Sequence, residues 1–396
     1  MTRMLSQIWT VIVMNVRSLP QRLWMSLAAI LAVSVVVAVL LSFLAMSNGF
    51  ANTLSGTGSD EVAIITRSGS QSELNSVISR DSVNIVSNAP GIAVTADGQP
   101  FYSAELYVVV DGRKKSSGSE VNIPMRGISP AGFELREQVT VTEGRMFVPG
   151  TSELIVGQGI LNQFDGFDLG QEVAFGKTRW TVVGVFSTGG SAFESELWAD
   201  ARMVQDLFNR GNSFQTMRVK LSEPGNISGI EDLIENDPRL ILDVDTETGY
   251  FAAQGNALQG IVWFGWAISI VMGLGALAGA LNTMYTSVAS RSAEIATLRA
   301  IGFSNTSAFI GTLVESTVLS LIGGVIGALV SYSFMDGLTT ATMGASFTQV
   351  VFTFELSPEL FQNGILMALA IGLIGGFFPA WKAARVPVIV AFRGSA

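Results

Sequence analysis

Few residues in this chain are placed to do chemistry, and each sits where charge is scarce. Glu315 is the only Asp, Glu, Lys or Arg between Ala300 and Met335, a stretch otherwise apolar or weakly polar. An isolated carboxylate in such a run can pair with a neighbouring cation, couple a conformational change, or relay a proton. Its nearest cations in sequence are Arg291 and Arg299. No His, Lys or Asp on the other apolar runs would extend a relay, so pairing and conformational coupling lead. The segment from Ser287 to Gly302 reads as a short amphipathic helix closed by Gly302. Val288, Ile295 and Leu298 lie near one face, and Arg291 and Glu294 are i,i+3 neighbours. Three Gly-x-x-x-Gly pairs, Gly275/Gly279, Gly323/Gly327 and Gly372/Gly376, put small residues on one helix face, which lets a second backbone approach closely in lipid. Other chemistry is excluded. The 396 residues include no Cys and no His, so disulfides, His/Cys zinc sites and Cys or Ser-His-Asp nucleophiles cannot be built.

The elements that carry these residues are membrane spans. Only 14% of residues are charged against 48% hydrophobic, where an ordinary soluble domain carries about 25% charged. Leu23–Ser47 has no charge over 25 residues, about 37 Å as a helix. Further apolar runs fall at 257–286, 308–335 and 360–381, each long enough for a hydrocarbon core of about 30 Å. A cleaved signal core is only about 7 to 15 residues, so 23–47 is expected to remain as the first span. Arg3, Arg17 and Arg22 precede it; Arg291 and Arg299 lie between spans two and three; Lys382, Arg385 and Arg393 follow span four. The segment 336–359 holds Asp336, Glu355 and Glu359 but no Lys or Arg. The positive-inside rule therefore puts both termini, the loop 287–304 and the tail 382–396 in the cytoplasm, with 336–359 a short outer loop. Residues 1–22 form an interfacial helix on the face Leu5, Ile8, Trp9, Ile12 and Val16, ending near Pro20.

What remains, 48–256, is outside. It carries 15 basic and 27 acidic residues, a net charge of −12, which does not suit nucleic acid. It reads as α+β. Strands are expected at Val62–Thr66, Glu105–Val110, Val121–Ile128, Glu153–Val156, Glu172–Phe175, Trp180–Phe186 and Met217–Leu221. Helices are expected at Ser72–Ser79, Gly159–Phe164, Ala201–Phe208 and Ile227–Glu235. The basic tract Asp111–Ser119 reads as a solvated hairpin tip.

Together these pieces carry a resemblance. The run Ala289–Gly302, then Leu313-Val-Glu315, Gly323–Gly327, and the ending Gly375–Pro387 with Pro379, Ala383 and Pro387, resemble the MacB/FtsX-type permeases of ABC systems. The outer segment is similar to the MacB-type periplasmic domain at Gly144-Arg145, Glu153–Gly157, Leu169–Gln171 and Trp180–Val185. The resemblance implies that Arg291, Glu294, Ile295, Leu298, Arg299 and Gly302 form the coupling helix that docks on a nucleotide-binding subunit. It implies a bacterial inner-membrane protein with two permease copies, alike or different, and two ABC ATPase subunits. A periplasmic adaptor and an outer-membrane duct are further partners it allows. This sequence has no GxxxxGK[ST] loop to cradle phosphates, so ATP and Mg are expected in a separate ATPase, with no cofactor on this chain and no catalysis by it. Val386 stands where the family often has an acidic or amide residue. The implied function is export or extraction of a substrate from the periplasm or outer leaflet. The alternatives are a lipoprotein-extraction permease of the LolC/LolE type and an FtsX-like regulator of an envelope hydrolase.

Overall fold

The computed structural model describes residues 2–18, 23–256, 259–343, 349–387 and 389. Pro20, Arg22 and Arg393, singled out above, lie outside the described residues, as do the side chains of Arg3, Leu5 and Val16. The chain divides into two compact units. One comprises residues 1–48, 260–338 and 355–396, the other 49–259 and 339–354.

In chain order the elements are α1 (Thr2–Ser18), α2 (Leu23–Ser55), β1 (Val62–Arg67), β2 (Ile78–Ser79), α3 (Arg80–Val86), β3 (Tyr102–Lys114), β4 (Glu120–Ile128) and α4 (Pro130–Glu134). There follow β5 (Thr140–Gly144), β6 (Glu153–Gly157), α5 (Gln158–Gln163), β7 (Phe164–Asp165), β8 (Glu172–Phe175), β9 (Thr178–Ser187), β10 (Leu197–Asp200) and α6 (Ala201–Leu207). The outer unit continues with β11 (Ser213–Phe214), β12 (Thr216–Lys220), α7 (Ser228–Asn236), β13 (Leu242–Thr246) and α8 (Glu247–Asn256). Last come α9 (Gln259–Ser290), α10 (Ser292–Ala300), α11 (Asn305–Met335), β14 (Thr339–Met343), β15 (Gln349–Thr353) and α12 (Pro358–Ala384).

Helices α2, α9, α11 and α12 are the four long and apolar enough to cross a membrane among the described residues. Two of the three glycine pairs close contacts inside the helical unit. A Cβ at Gly327 would lie 2.4 Å from the Ser34 carbonyl oxygen, and one at Gly323 2.7 Å from that of Ile30. The backbones of α11 and α2 therefore touch, which only hydrogen at these positions permits. Gly372 and Gly376 do the same for α12 against Ser320 and Ser316 of α11, and Ser316 Oγ donates to the Gly372 carbonyl at 3.0 Å. Gly275 and Gly279 on α9 face no neighbouring atom within 4 Å.

The outer unit is built on one mixed sheet in the order β13-β1-β12-β3-β4-β10-β6-β9-β5, with β7 joined to β3 and β8 to β9. Every expected strand is present, because runs such as Val62–Ile65 offer β-branched side chains to cores on both faces and are buried throughout. Trp180, Trp198, Phe164 and Phe186 are fully buried among them, each contributing about 1.5–3 kcal/mol of transfer free energy. The helix expected at Ser72–Ser79 is displaced. Ile78–Ser79 pairs with Ser213–Phe214, and the helix starts at Arg80, where Ser79 Oγ accepts from the Ser82 N–H. A serine that caps a helix stops it from extending backward. The 111–119 tract is a hairpin end as expected, but Lys114 is tied down, donating from Nζ to the Ala341 carbonyl at 2.7 Å. Its partner belongs to the 336–359 loop, which folds into the antiparallel pair β14 and β15 and completes the outer unit.

Candidate functional site

Arg291 organises the site. It lies between α9 and α10, at the N-cap position of α10, and it is buried. Its guanidinium forks three ways: Nη1 donates to Glu315 Oε2 at 3.3 Å, Nη2 to Asn15 Oδ1 at 2.7 Å, and Nε to Glu294 Oε2 at 3.2 Å. Glu315, on α11, is buried like its partner. The planar guanidinium presents five N–H donors in a rigid fork, and here it meets acceptors from α1, α10 and α11 at once.

The sequence offered Arg291 or Arg299 as the partner of Glu315, of which the structure uses Arg291, and it placed Arg291 beside Glu294; it did not find Asn15. That residue belongs to a stripe on α1, Gln7, Val11 and Asn15, spaced four apart and so on one face. The amide of Gln7 donates to the Gly302 carbonyl at 3.2 Å and accepts from the Ser304 N–H at 3.4 Å. Val11 packs at Gly311 of α11, where a Cβ would come within 2.5 Å of its methyl. The face expected to lie in the membrane interface leaves Trp9 68% exposed, and α1 packs through the neighbouring stripe, with Val11 and Asn15 buried. The spacing of Gln7 and Asn15 was the available signal.

The other end of α10 is tied to the tail. Arg299 Nη1 donates to the carbonyl of Val386, so the residue that departs from the family pattern is engaged through its backbone. Gly302 closes the helix at φ +104°, and Ser304 Oγ caps α11 by accepting from Ser307 N–H. Pro379 and Ala383 are buried in α12, and Pro387 is exposed beyond its end. Ile295 and Leu298 are half-buried; Glu294, Thr297 and Ile301 are exposed. The residues around Arg291 enclose a cavity of about 20 Å³, room for a water molecule and not for a substrate.

A second polar assembly, in the outer unit, was not found from sequence. Arg126, Arg136 and Arg218 meet Glu73, Glu105, Glu196 and Glu247, all buried. Arg126 pairs bidentately with Glu196 at 2.6 and 2.7 Å and reaches Glu73 at 2.6 Å. Arg136 holds Glu105 at 2.8 and 2.9 Å, and Arg218 reaches Glu105 at 2.8 Å and Glu247 at 2.6 Å. Burial alone would raise the Glu105 carboxyl, but the guanidiniums of Arg136 and Arg218 outweigh it and hold it at about 2. Glu73 is likewise opposed by burial and lowered well below the carboxylate range by Arg126 and Arg218. The available signal was charge inside strands otherwise apolar, as with Arg126 between Met125 and Gly127. Among the described residues no cluster of acidic side chains is arranged to hold a metal.

The profile of the FtsX-like permease C-terminal family matches residues 266–388. That of the MacB-like periplasmic core domain matches residues 26–237, more than half of the chain. The chain is a MacB/FtsX-type ABC transporter permease. This permease is 20% identical over 394 residues to an uncharacterized ABC transporter permease of Methanocaldococcus jannaschii, covering 96% of each. It is 24% identical over 371 residues to the macrolide export ATP-binding/permease protein MacB of Neisseria gonorrhoeae, covering 82% of this chain and 54% of the relative. The permease thus spans about half the length of the MacB relatives it matches. The crystal structure of the periplasmic region of MacB from Actinobacillus actinomycetemcomitans aligns over 49% of the permease and 92% of that chain, with 16% identity and a TM-score of 0.36.

Proposed function

We propose that the permease is the non-catalytic half of a mechanotransmission transporter. A separate ABC ATPase, two copies with ATP and Mg, docks on α10 from the cytoplasm, and two permease copies work together. ATP-driven motion moves the outer unit to export or extract a substrate from the periplasm or outer leaflet. Both termini are cytoplasmic in this reading, in line with the basic residues of 287–304 and 382–396.

The observation that carries the reading is the bracing of α10. A nine-residue helix between two spans is marginal alone, yet it is tied to α1, α11 and the tail through Arg291, Gln7 and Arg299. A docking element held from three sides moves its neighbours when pushed. Glu294, Thr297 and Ile301 remain exposed and supply the docking face. The paired state of Glu315 supports transmission over ion passage, since a salt-bridged carboxylate beside so small a cavity offers no conduit.

Substituting Glu294→Ala and Ile301→Ala together should cut permease-stimulated ATP hydrolysis by about tenfold, the loss of roughly 1.4 kcal/mol at a docking hot spot. Unchanged stimulation would rule out α10 as the docking element. Because the chain has no cysteine, single cysteines at 117 and 293 test the orientation in intact cells. An impermeant maleimide should label the first only.

A further inference from the structure

The buried ionic assembly of the outer unit stands where the chain first enters that unit and first leaves it. Entry is the end of α2 and the turn after it; exit is α8. Thr57, fully buried, accepts from the Ala192 N–H at 2.8 Å. At Gly58, φ is +89° and a Cβ would come within 2.7 Å of Glu247 Cγ, so the entry turn lies against the first residue of α8. One face of α8, positions i, i+3 and i+4, then faces the assembly. Glu247 accepts from Arg218 Nε at 2.6 Å. The Tyr250 hydroxyl accepts from the Glu73 N–H at 2.9 Å. Phe251 meets Phe193 edge to face at 5.6 Å between centroids. Phe193 in turn lies under the Arg136, Arg126 and Arg218 guanidiniums at 4.9, 5.9 and 6.0 Å.

We infer that this assembly is a joint: Arg218, Glu247, Tyr250 and Phe193 are positioning residues that lock the entry turn and α8 to the central strands β12, β3 and β4. An apolar socket of the same volume would hold α8 with comparable free energy, since buried ion pairs rarely outdo hydrophobic replacements. It would also allow α8 to slide. Charged, directional bonds admit one register, because any slip leaves buried charges unpaired. A joint of this kind passes a displacement of α8 to the sheet without loss, which is the property that the transmission proposed above requires. The inference rests on that reading only for the source of the displacement.

The test reads the joint without the ATPase, so its failure and the failure of the transport reading are distinguishable. Amide hydrogen exchange is followed on the full chain in lipid nanodiscs. In the unmodified protein, residues 247–256 and 53–58 should exchange as slowly as the outer strands. Glu247→Gln should speed exchange in both segments at least tenfold while β6 and β9 keep their protection. Tyr250→Phe, a milder change that removes one acceptor, should speed the same segments severalfold. Glu196→Gln, within the same assembly but remote from α8 in its bonding to Arg126 and Trp198, should leave 247–256 unchanged. If Glu247→Gln and Glu196→Gln loosen the whole sheet alike, the assembly is general core and no joint. Unaltered exchange of α8 in both Glu247→Gln and Tyr250→Phe overturns the inference equally.

Discussion

At the Arg291 node, a buried carboxylate is tolerable only with its cation in place. Removing one member of a buried pair costs about 3–5 kcal/mol, because the survivor is left charged and desolvated. Arg291→Leu should therefore destabilise the helical unit by that order, and Arg291→Leu with Glu315→Leu should recover most of it. Chemical denaturation in micelles of the two single variants and the double variant would give the coupling; additive losses would mean that the 3.3 Å contact carries no energy. Asn15→Ala removes one hydrogen bond to a charged group, worth about 1.5–3 kcal/mol. It should lower stimulated ATP hydrolysis while the four spans stay folded. The pair was legible in the sequence because one carboxylate in a long uncharged run has few candidates to meet. Asn15 was not, since nothing local links it to a residue 276 positions away. Nor could the sequence weigh Val386, which contributes a carbonyl that any residue carries.

Among the elements, the glycine pairs divide by what they face. On α11 and α12 they are filled from within the chain, so bulk on α11 must collide with the α2 backbone and bulk on α12 with Ser316 and Ser320 of α11. Gly327→Val puts carbon where the Ser34 carbonyl oxygen stands, and the expected outcome is loss of monodisperse protein on size-exclusion chromatography. On α9, a Cβ at Gly279 meets no atom within 4 Å, and Gly279→Val should leave the single chain folded. If the second permease copy packs on α9, the same change should reduce cross-linked dimer severalfold; equal dimer yield would place that interface elsewhere. The sequence marks all three pairs identically, since spacing reports a helix face but not its occupant. The same limit explains α1. Its apolar face at Ile8, Trp9 and Ile12 was plain and suits a membrane interface, whereas the stripe that packs, Gln7, Val11 and Asn15, meets hydrogen-bonding partners that lie far along the chain.

Over the whole molecule, what was readable from sequence followed solvent. Spans announce themselves by missing charge and outer strands by β-branched runs, whereas the hairpin of β14 and β15 has a short, mixed sequence and joins the outer unit by contacts far along the chain. The ionic assembly was hidden for the same reason, since each of its residues looks like a surface charge until seven converge. Their burial sets how the outer unit responds to acid. Glu73 and Glu105 titrate lower in the folded state than the roughly 4.3 of an unfolded glutamate, Glu105 at about 2. A depressed carboxyl stabilises the fold above the unfolded value, and that stabilisation disappears as pH falls through the folded one. The near-ultraviolet circular dichroism of buried Trp180 and Trp198 should thus stay constant from pH 8 to about 5 and collapse between about 4.5 and 2. Added salt should move this transition little, because buried pairs are weakly screened. The exposed pairs of Glu137 with Lys220 and of Asp237 with Arg239 are open to that screening, so a transition that shifted strongly with salt would assign acid sensitivity to them and not to the buried assembly.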